Sequence, residues 1–388
     1  LKDQPIAIRE IKRFVLEKAR REGWQPLIKK SSPKEEKVAI IGAGPAGLAC
    51  AYDLARAGYQ VTIFEKESAP GGMLKWGIPE FRLPRKLFQE EIKVLQDLGV
   101  NFLLGKCWGK DFELIDLKNA GYQAIFIGIG AQRGLNLKLK EKESAGYYLA
   151  IDFLKAFHQN KKVKIGKKVA VIGGGFTAID TARLCIRLGA KQVYLLYRRT
   201  KEEMPALPQE VREAEEEGVK IMYLVAPRKI IRQNGRVVGL EMVNMVLGEE
   251  DQTKRRRPEE VRGTEFTLKI DTIISAIGQT INLPDDKIRL KMNKDGFIWV
   301  NKKTGATNIK GIFAGGDAIR GPASVIQAIA DGKRGAVSID SYLSSNPVLK
   351  YDPEWQVIDK EKVLALSLIH ISEPTRPLYI SYAVFCLK

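Results

Sequence analysis

Lys37 to Glu67 reads KVAIIGAGPAGLACAYDLARAGYQVTIFEKE, and the fold of the chain follows from this stretch. Lys37 to Ile41 is a short β-branched run of the kind that forms a buried parallel strand. Gly42, Gly44 and Gly47 then fall at G-x-G-x-x-G spacing, and Ala46 to Ala57 carries helical periodicity. A second strand from Gln60 to Phe64 ends on Glu65. Gly42 makes the tight turn, Gly44 lets the backbone approach a pyrophosphate, and Gly47 lets helix and strand pack closely. The helix start presents N–H groups to phosphate oxygens, and a carboxylate roughly twenty residues on accepts hydrogen bonds from ribose hydroxyls. A glycine-rich turn alone has purely structural uses. Strand, glycines, helix, strand and acid in register predict a dinucleotide site.

The pattern recurs. Lys168 to Ile172 is a strand, Gly173, Gly175 and Ala178 stand at G-x-G-x-x-A spacing, a helix runs to Leu188, and a strand spans Gln192 to Tyr197. The chain is therefore α/β, with two Rossmann-like dinucleotide-binding folds. The copies differ where the second strand ends: the first ends in an acid, the second in Arg198 and Arg199. Guanidinium groups suit a 2′-phosphate, which a carboxylate would repel. Two readings fit the arginines, solvated charges on an exposed turn or cations that read the 2′-phosphate of NADPH.

The 388 residues suffice for two or three domains, and the net charge is +18, from 64 Lys+Arg against 46 Asp+Glu. That balance fits a solvated basic surface that favours anionic cofactors, since no nucleic-acid motif accompanies it. Cys50, Cys107, Cys185 and Cys386 lie far apart with no C-x-x-C and no metal spacing, so the sequence predicts no cluster and no redox disulfide. No apolar run spans a bilayer and no signal peptide is visible, which predicts a cytoplasmic protein without a membrane span. Gln4 to Glu22 places Ile8, Ile11, Val15 and Ala19 at helical spacing, an amphipathic helix followed by a polar linker. Ser68 to Pro84, rich in Gly and Pro, reads as a loop, either a structural turn or a flavin contact. Leu87 to Leu98 and Ala150 to His158 read as helices, and Tyr122 to Ile127 as an apolar strand. Met222 to Gly248 and Glu265 to Ile270 alternate like antiparallel strands, and KRRRP at Lys254 to Pro258 reads as a charged hairpin loop or a targeting signal. Asp271 to Gly278 and Gly311 to Asp317 are strands ending at glycines, and a helix from Val325 to Leu343 follows Ser324 as N-cap. Asp317 either accepts hydrogen bonds from a polyol or closes the turn.

With these residues in hand, the chain resembles the small (β) subunit of NADPH-dependent glutamate synthase and its relatives, including the flavin half of dihydropyrimidine dehydrogenase and flavin subunits of ferredoxin:NADPH transhydrogenases. The resemblance covers about Gln4 to Leu343. It is carried by GAGPAGLACA (Gly42 to Ala51), GGMLKWGIPEFRLP (Gly71 to Pro84), GGGFTAIDTA (Gly173 to Ala182), YRRTKEEMPA (Tyr197 to Ala206), AIG (Ala276 to Gly278) and AGGDA (Ala314 to Ala318). It implies a FAD domain in two segments with an NADPH domain inserted, here 35–165 and 279–350 around 166–278, after a helix and linker over 1–34. Gly44, Pro45 and Ala46 would meet the FAD pyrophosphate and Glu65 its ribose, with Met73, Arg82, Gly316, Asp317 and Val325 around ribityl and flavin. Gly175, Thr177, Ala178, Arg198, Arg199 and Gly278 would hold NADPH. Gly42, Gly47, Lys66, Gly72, Trp108 and Gly128, and Gly173, Phe176, Asp180, Ala276 and Ile277, complete the cofactor-binding positions.

The resemblance implies hydride transfer from NADPH to FAD by stacked rings, with no protein acid, base or nucleophile and no metal ligand in this chain. His158 lies outside every motif. Electrons would pass to iron–sulfur centres in a partner subunit, or in a cysteine-rich domain that relatives carry before the first helix and that this sequence lacks. A flavin subunit of another NAD(P)H-linked complex, or a flavin-binding structural subunit without turnover, remains open. A thioredoxin-reductase chemistry is excluded by the missing C-x-x-C. After a native tail at 351–365, Leu366 to Arg376 (LSLIHISEPTR) and Ile380 to Leu387 (ISYAVFCL) read as one-frame translations of sequencing-adapter DNA, against a competing reading as a β-prone C-terminal strand pair.

Overall fold

The computed structural model describes residues 8–23, 28–139, 144–250, 256–345 and 347–349, so the adapter-like tail and the last residues before it lie outside the described residues. Along the chain come α1 (Ile8–Arg21), β1 (Lys37–Ile41), α2 (Pro45–Arg56), β2 (Gln60–Glu65), α3 (Met73–Trp76), α4 (Arg85–Asp97), β3 (Asn101–Leu104), α5 (Leu114–Asn119) and β4 (Tyr122–Ile127). Then follow β5 (Arg133–Gly134), β6 (Tyr147–Leu149), α6 (Ala150–His158), β7 (Lys168–Ile172), α7 (Phe176–Arg187), β8 (Gln192–Tyr197), a 3₁₀ turn at Lys201–Glu203, α8 (Pro208–Glu216) and β9 (Val219–Tyr223). The chain continues with β10 (Val225–Gln233), β11 (Arg236–Glu250), β12 (Arg256–Glu260), β13 (Phe266–Leu268), β14 (Thr272–Ser275), β15 (Gln279–Thr280), β16 (Ile312–Ala314), α9 (Asp317–Arg320) and α10 (Val325–Leu343).

Two compact units form. The described residues of Leu1–Gly71, Lys86–Gly130 and Leu283–Lys388 make one, and those of Gly72–Arg85 and Ala131–Asn282 the other. The first unit is built on a parallel sheet in the order β16-β4-β1-β2-β3. Val38, Ala39, Ile40, Ile125, Phe126 and Ile127 are fully buried, because helices cover both faces of such a sheet. Helix α10 lies against α2 at close range: a Cβ added to Gly332 would stand 2.1 Å from the Ala46 carbonyl oxygen. The second unit repeats the plan, with a parallel sheet in the order β6-β14-β7-β8-β9 over a core that includes Phe153, Val171, Ile179 and Leu195. It adds an antiparallel sheet of β10, β11, β12 and β13.

Three sequence expectations are corrected. Residues 72–85 and 131–165 belong with the second unit and not with a FAD domain running to 165. The reason is pairing: β6 zips onto β14, β5 onto β15, and α6 fills the second core. The Ser68–Pro84 loop contains a turn of helix, α3, which starts at Gly72 in a positive-φ conformation. The KRRRP segment is not simply a loop, since Arg256–Pro258 stand in β12, paired antiparallel with β11, while Lys254 and Arg255 lie outside the described residues.

Helix α1 forms where the periodicity places it, but Ile8, Ile11 and Val15 are 59%, 53% and 43% exposed. Its hold on the first unit comes from buried Leu16 and from Arg20, which reaches Glu91 at 2.8 Å and Glu90 at 3.1 Å. Burial pushes the Glu91 carboxyl up to about 7, against the pull of Arg20.

Candidate cofactor sites

The two glycine turns are built alike. Lys37 pairs with Gln60 and Ile41 with Phe64, while Lys168 pairs with Gln192 and Ile172 with Leu196. Glu65 and Tyr197 therefore hold the same position, one residue past the pairing with the central strand. In the first turn Gly42 adopts φ +100°, and a Cβ there would stand 2.6 Å from the Gly128 carbonyl oxygen. A Cβ on Gly47 would stand 2.0 Å from the Gly42 carbonyl oxygen. In the second, Gly173 adopts φ +147° and its Cβ would meet the Ala276 carbonyl oxygen at 2.4 Å. Each turn is thus squeezed between its helix and the end of a neighbouring parallel strand, and only glycine fits.

The open side of each turn is different. A Cβ on Gly44 would meet one atom, the Gly128 oxygen at 3.9 Å, and a Cβ on Gly175 would meet nothing within 4 Å. Gly44 and Gly175 are the N-caps of α2 and α7; neither helix has a side-chain cap or an acid in its first turn. The N–H groups that begin these helices are left for an anion, which is the geometry a pyrophosphate needs. Glu65 lies beside the first turn. It is buried, accepts the Ala43 N–H at 2.7 Å and the Glu67 N–H at 2.9 Å, and its carboxyl is raised above the usual range by desolvation despite those bonds. Hydroxyl donors of a ribose would offset that desolvation. The residues present fit FAD at the first turn. At the second, Thr177 and Ala178 follow Gly175 into α7, and Gly278 (φ +130°) follows β14 and Ala276; this frame fits a second dinucleotide.

The loop at Gly316 and Asp317 belongs to the first unit. Gly316 (φ +71°) caps the short α9, and a Cβ there would stand 3.0 Å from Ala46 in α2. Asp317 accepts the Ala323 N–H at 3.2 Å, and burial pushes its carboxyl up to about 6. Both readings of Asp317 thus have support: it does close the 317–323 turn, and it carries a carboxylate short of donors. Asp331, unremarked in the sequence, holds this loop. It is 3% exposed in the middle of α10 and accepts the Gly316 N–H at 3.0 Å, Arg320 at 2.6 Å and Arg334 at 2.9 Å. An acid set among the small and apolar residues of the helix was the available signal. Val325 begins α10, whose first turn is closed by a capping box between Ser324 and Gln327.

Arg82 is in the second unit, where its guanidinium takes both oxygens of Asp180 at 2.7 Å and also pairs with Glu210. Arg82 and Asp180 thereby satisfy each other, the loop being tied to α7 and α8. Trp108 is buried and its indole N–H donates to Asp286 at 2.7 Å, so that donor serves the fold of the first unit. Lys66 is exposed. Gly72 and Met73 begin α3 in the second unit. Phe176 and Ile277 are 41% and 43% exposed, apolar surface beside the second turn. The arginine pair divides: Arg198 is exposed, whereas Arg199 is 7% exposed and its Nε donates to the Arg256 carbonyl at 2.9 Å. The His158 Nδ1–H donates to the Trp76 carbonyl, 3.0 Å away, and burial lowers its pKa. Among the described residues no group of three His, Cys, Asp or Glu side chains is placed to hold a metal ion.

The sequence matches the pyridine nucleotide-disulphide oxidoreductase family over residues 36–332. The chain belongs to that family. It is 40% identical over 394 residues to a protein of Moorella thermoacetica named NADP(+)-dependent formate dehydrogenase subunit beta, a match covering 92% of this chain and 56% of that one. It is 36% identical over 355 residues to the Glutamate synthase [NADPH] small chain of Escherichia coli, covering 87% of this chain and 75% of that one. The resemblance to the glutamate synthase small-chain group therefore holds. The solved structure of Mycobacterium tuberculosis FprA in complex with NADPH shares the fold, with a TM-score of 0.70, 18% identity, and coverage of 80% of this chain and 85% of that one. The chain spans about half the length of the Moorella relative. Among the described residues, no helix is long and apolar enough to cross a membrane.

Proposed function

We propose that the first unit binds FAD, that the second binds NADPH in preference to NADH, and that the chain takes hydride from NADPH onto FAD and hands electrons to iron–sulfur centres or a partner subunit. The observation that carries this reading is the pair of glycine turns with uncapped helix starts, one beside a buried carboxylate and the other followed by arginines. The bound pair supplies the redox chemistry. The protein's part is to seat two pyrophosphates on α2 and α7, to receive a ribose at Glu65 and a polyol at Asp317, and to select the nucleotide through Arg198. Arg199 supports that turn from below. The relatives' names support the partner: they are a beta subunit and a small chain, and they name NADP(+) or NADPH. The final acceptor is proposed only as a class, a one-electron centre.

Rapid mixing of the FAD-loaded chain with NADPH tests the reading. Flavin absorbance near 450 nm should bleach, and faster than with NADH. A flavin that stays oxidised under excess NADPH overturns the hydride-transfer reading and leaves a flavin-binding subunit without turnover.

A further inference from the structure

The basic segment around Arg256 has no place in the cofactor pattern of the sequence, yet it meets the arginine turn. The turn after β8 is held from several directions, all within the second unit. The Arg199 carbonyl accepts the N–H of Leu224 at 3.2 Å, and Leu224 has φ +54°, a left-handed conformation unusual for a branched residue. The Leu224 carbonyl in turn accepts the Met245 N–H from β11. The Arg199 Nε donates to the Arg256 carbonyl, so the buried guanidinium is used to dock strand β12. Arg256 returns the contact: its Nε donates to Glu203 at 3.1 Å, in the 3₁₀ turn that follows the arginines. Glu203 closes the ring, because its carbonyl accepts the Tyr197 hydroxyl at 2.8 Å, and the Tyr197 ring lies under Gly174 of the glycine turn. Glycine turn, arginine turn and β12 form one connected frame.

Within that frame the charges sort by exposure. Arg199 is buried, whereas Arg198 is exposed and the Arg256 side chain is 49% exposed. Arg256 spends its Nε on Glu203, and a guanidinium is a planar fork whose Nη edge points away from Nε. Glu203 stays ionised, its carboxyl lowered by the hydrogen bond from Arg256, so the pair holds the fork in one orientation. Over 198–203 and 256–257 the sequence carries Arg198, Arg199, Lys201, Arg256 and Arg257 against Glu202 and Glu203, an excess of cations for a dianionic ligand. Backbone strain at Leu224 is of the kind that surrounding structure sustains at binding sites.

We infer that Arg256, from a strand outside the βαβ unit, is a second reader of the 2′-phosphate beside Arg198, with Arg199 as the buried support that positions both. The inference rests on the NADPH reading above and adds a residue to it. The ligand class is a nucleoside 2′-phosphate, and the discriminating part is its extra dianion.

The test is calorimetric titration of the FAD-loaded chain with 2′,5′-ADP and with 5′-AMP, which differ by that phosphate. Wild type should bind 2′,5′-ADP the more tightly. Arg256→Gln should weaken 2′,5′-ADP about tenfold and leave 5′-AMP unchanged, and Arg256→Lys, which keeps the charge but loses the fork, should fall between. Unchanged 2′,5′-ADP binding in Arg256→Gln, with a loss in Arg198→Ala, overturns the role of Arg256 while the NADPH reading stands. Equal loss of both ligands overturns it too, showing Arg256 to be structural. If wild type does not distinguish the two ligands, the NADPH reading fails and this inference with it. Should Arg256→Gln not fold, the lysine variant alone decides: a selective loss of 2′,5′-ADP supports the role, and no selective loss overturns it.

Discussion

The two glycine turns share a backbone plan and place different side chains at the end of the second strand. In the first, Glu65 reaches back to the Ala43 N–H and stays beside the turn as a buried acceptor. In the second, Tyr197 lays its ring under Gly174, where a Cβ would stand 2.4 Å from it, and sends its hydroxyl to the Glu203 carbonyl. On the proposed function, the first turn keeps its recognition chemistry on the strand itself. The second uses that position for packing, and the proposed recognition moves outward, to residues that β9, β11 and β12 hold in place. A repeated fold can thus be specialised by deciding which residue of the strand end faces the ligand, with the phosphate-binding backbone unchanged.

The largest effect expected from this comparison lies in the packing of the turns. Gly47→Ala puts a Cβ against the Gly42 carbonyl and should cost about 3 kcal/mol of stability or more, whereas Ala178→Gly, at the matching position, should cost about 1 kcal/mol through helix propensity. Denaturant unfolding of both variants checks it, and equal losses would mean that the turns are not packed differently. Next comes Glu65→Gln. The amide sets an N–H donor against a backbone N–H donor, and FAD should bind about 100-fold more weakly, roughly 3 kcal/mol. Flavin retained at wild-type affinity would remove Glu65 from the ribose site.

Smaller effects divide the arginines. Arg198→Ala should weaken NADPH about tenfold, ~1.4 kcal/mol, and spare NADH, while Arg199→Ala should weaken both nucleotides because it undoes the support of the turn. Paired titrations with the two nucleotides decide, and a selective loss of NADPH in Arg199→Ala would reverse the assigned roles. The smallest effect is in pH. Asp317 has its carboxyl raised from 3.8 to about 6 by burial, so the stability it contributes without FAD is fully present below pH 3.8 and is lost as pH rises through about 6. FAD affinity should run the opposite way, rising a few-fold over the same window as the carboxylate becomes able to accept polyol hydroxyls. A flat affinity between pH 5 and 7.5 would leave Asp317 only its turn-closing bond to Ala323.

The sequence by itself determined the two βαβ units, their glycine turns, the strand-end acid at Glu65 and the Ser324 cap, because each is written within about thirty neighbouring residues. Local periodicity and turn chemistry set these features whatever surrounds them. Tertiary structure alone decided what those units share with distant segments. Ser68 to Pro84 read as a structural turn or a flavin contact, and the fold ties its Arg82 to Asp180 and Glu210, respectively 98 and 128 positions away. Trp108 read as a cofactor contact, and the fold gives its indole N–H a partner in Asp286, 178 positions away. Arg198 and Arg199 looked equivalent until the fold buried one of them against a carbonyl 57 residues on. The physical reason is common to all three. A charged or polar side chain takes whatever partner the folded chain brings within about 3 Å, and sequence spacing carries no information about that meeting.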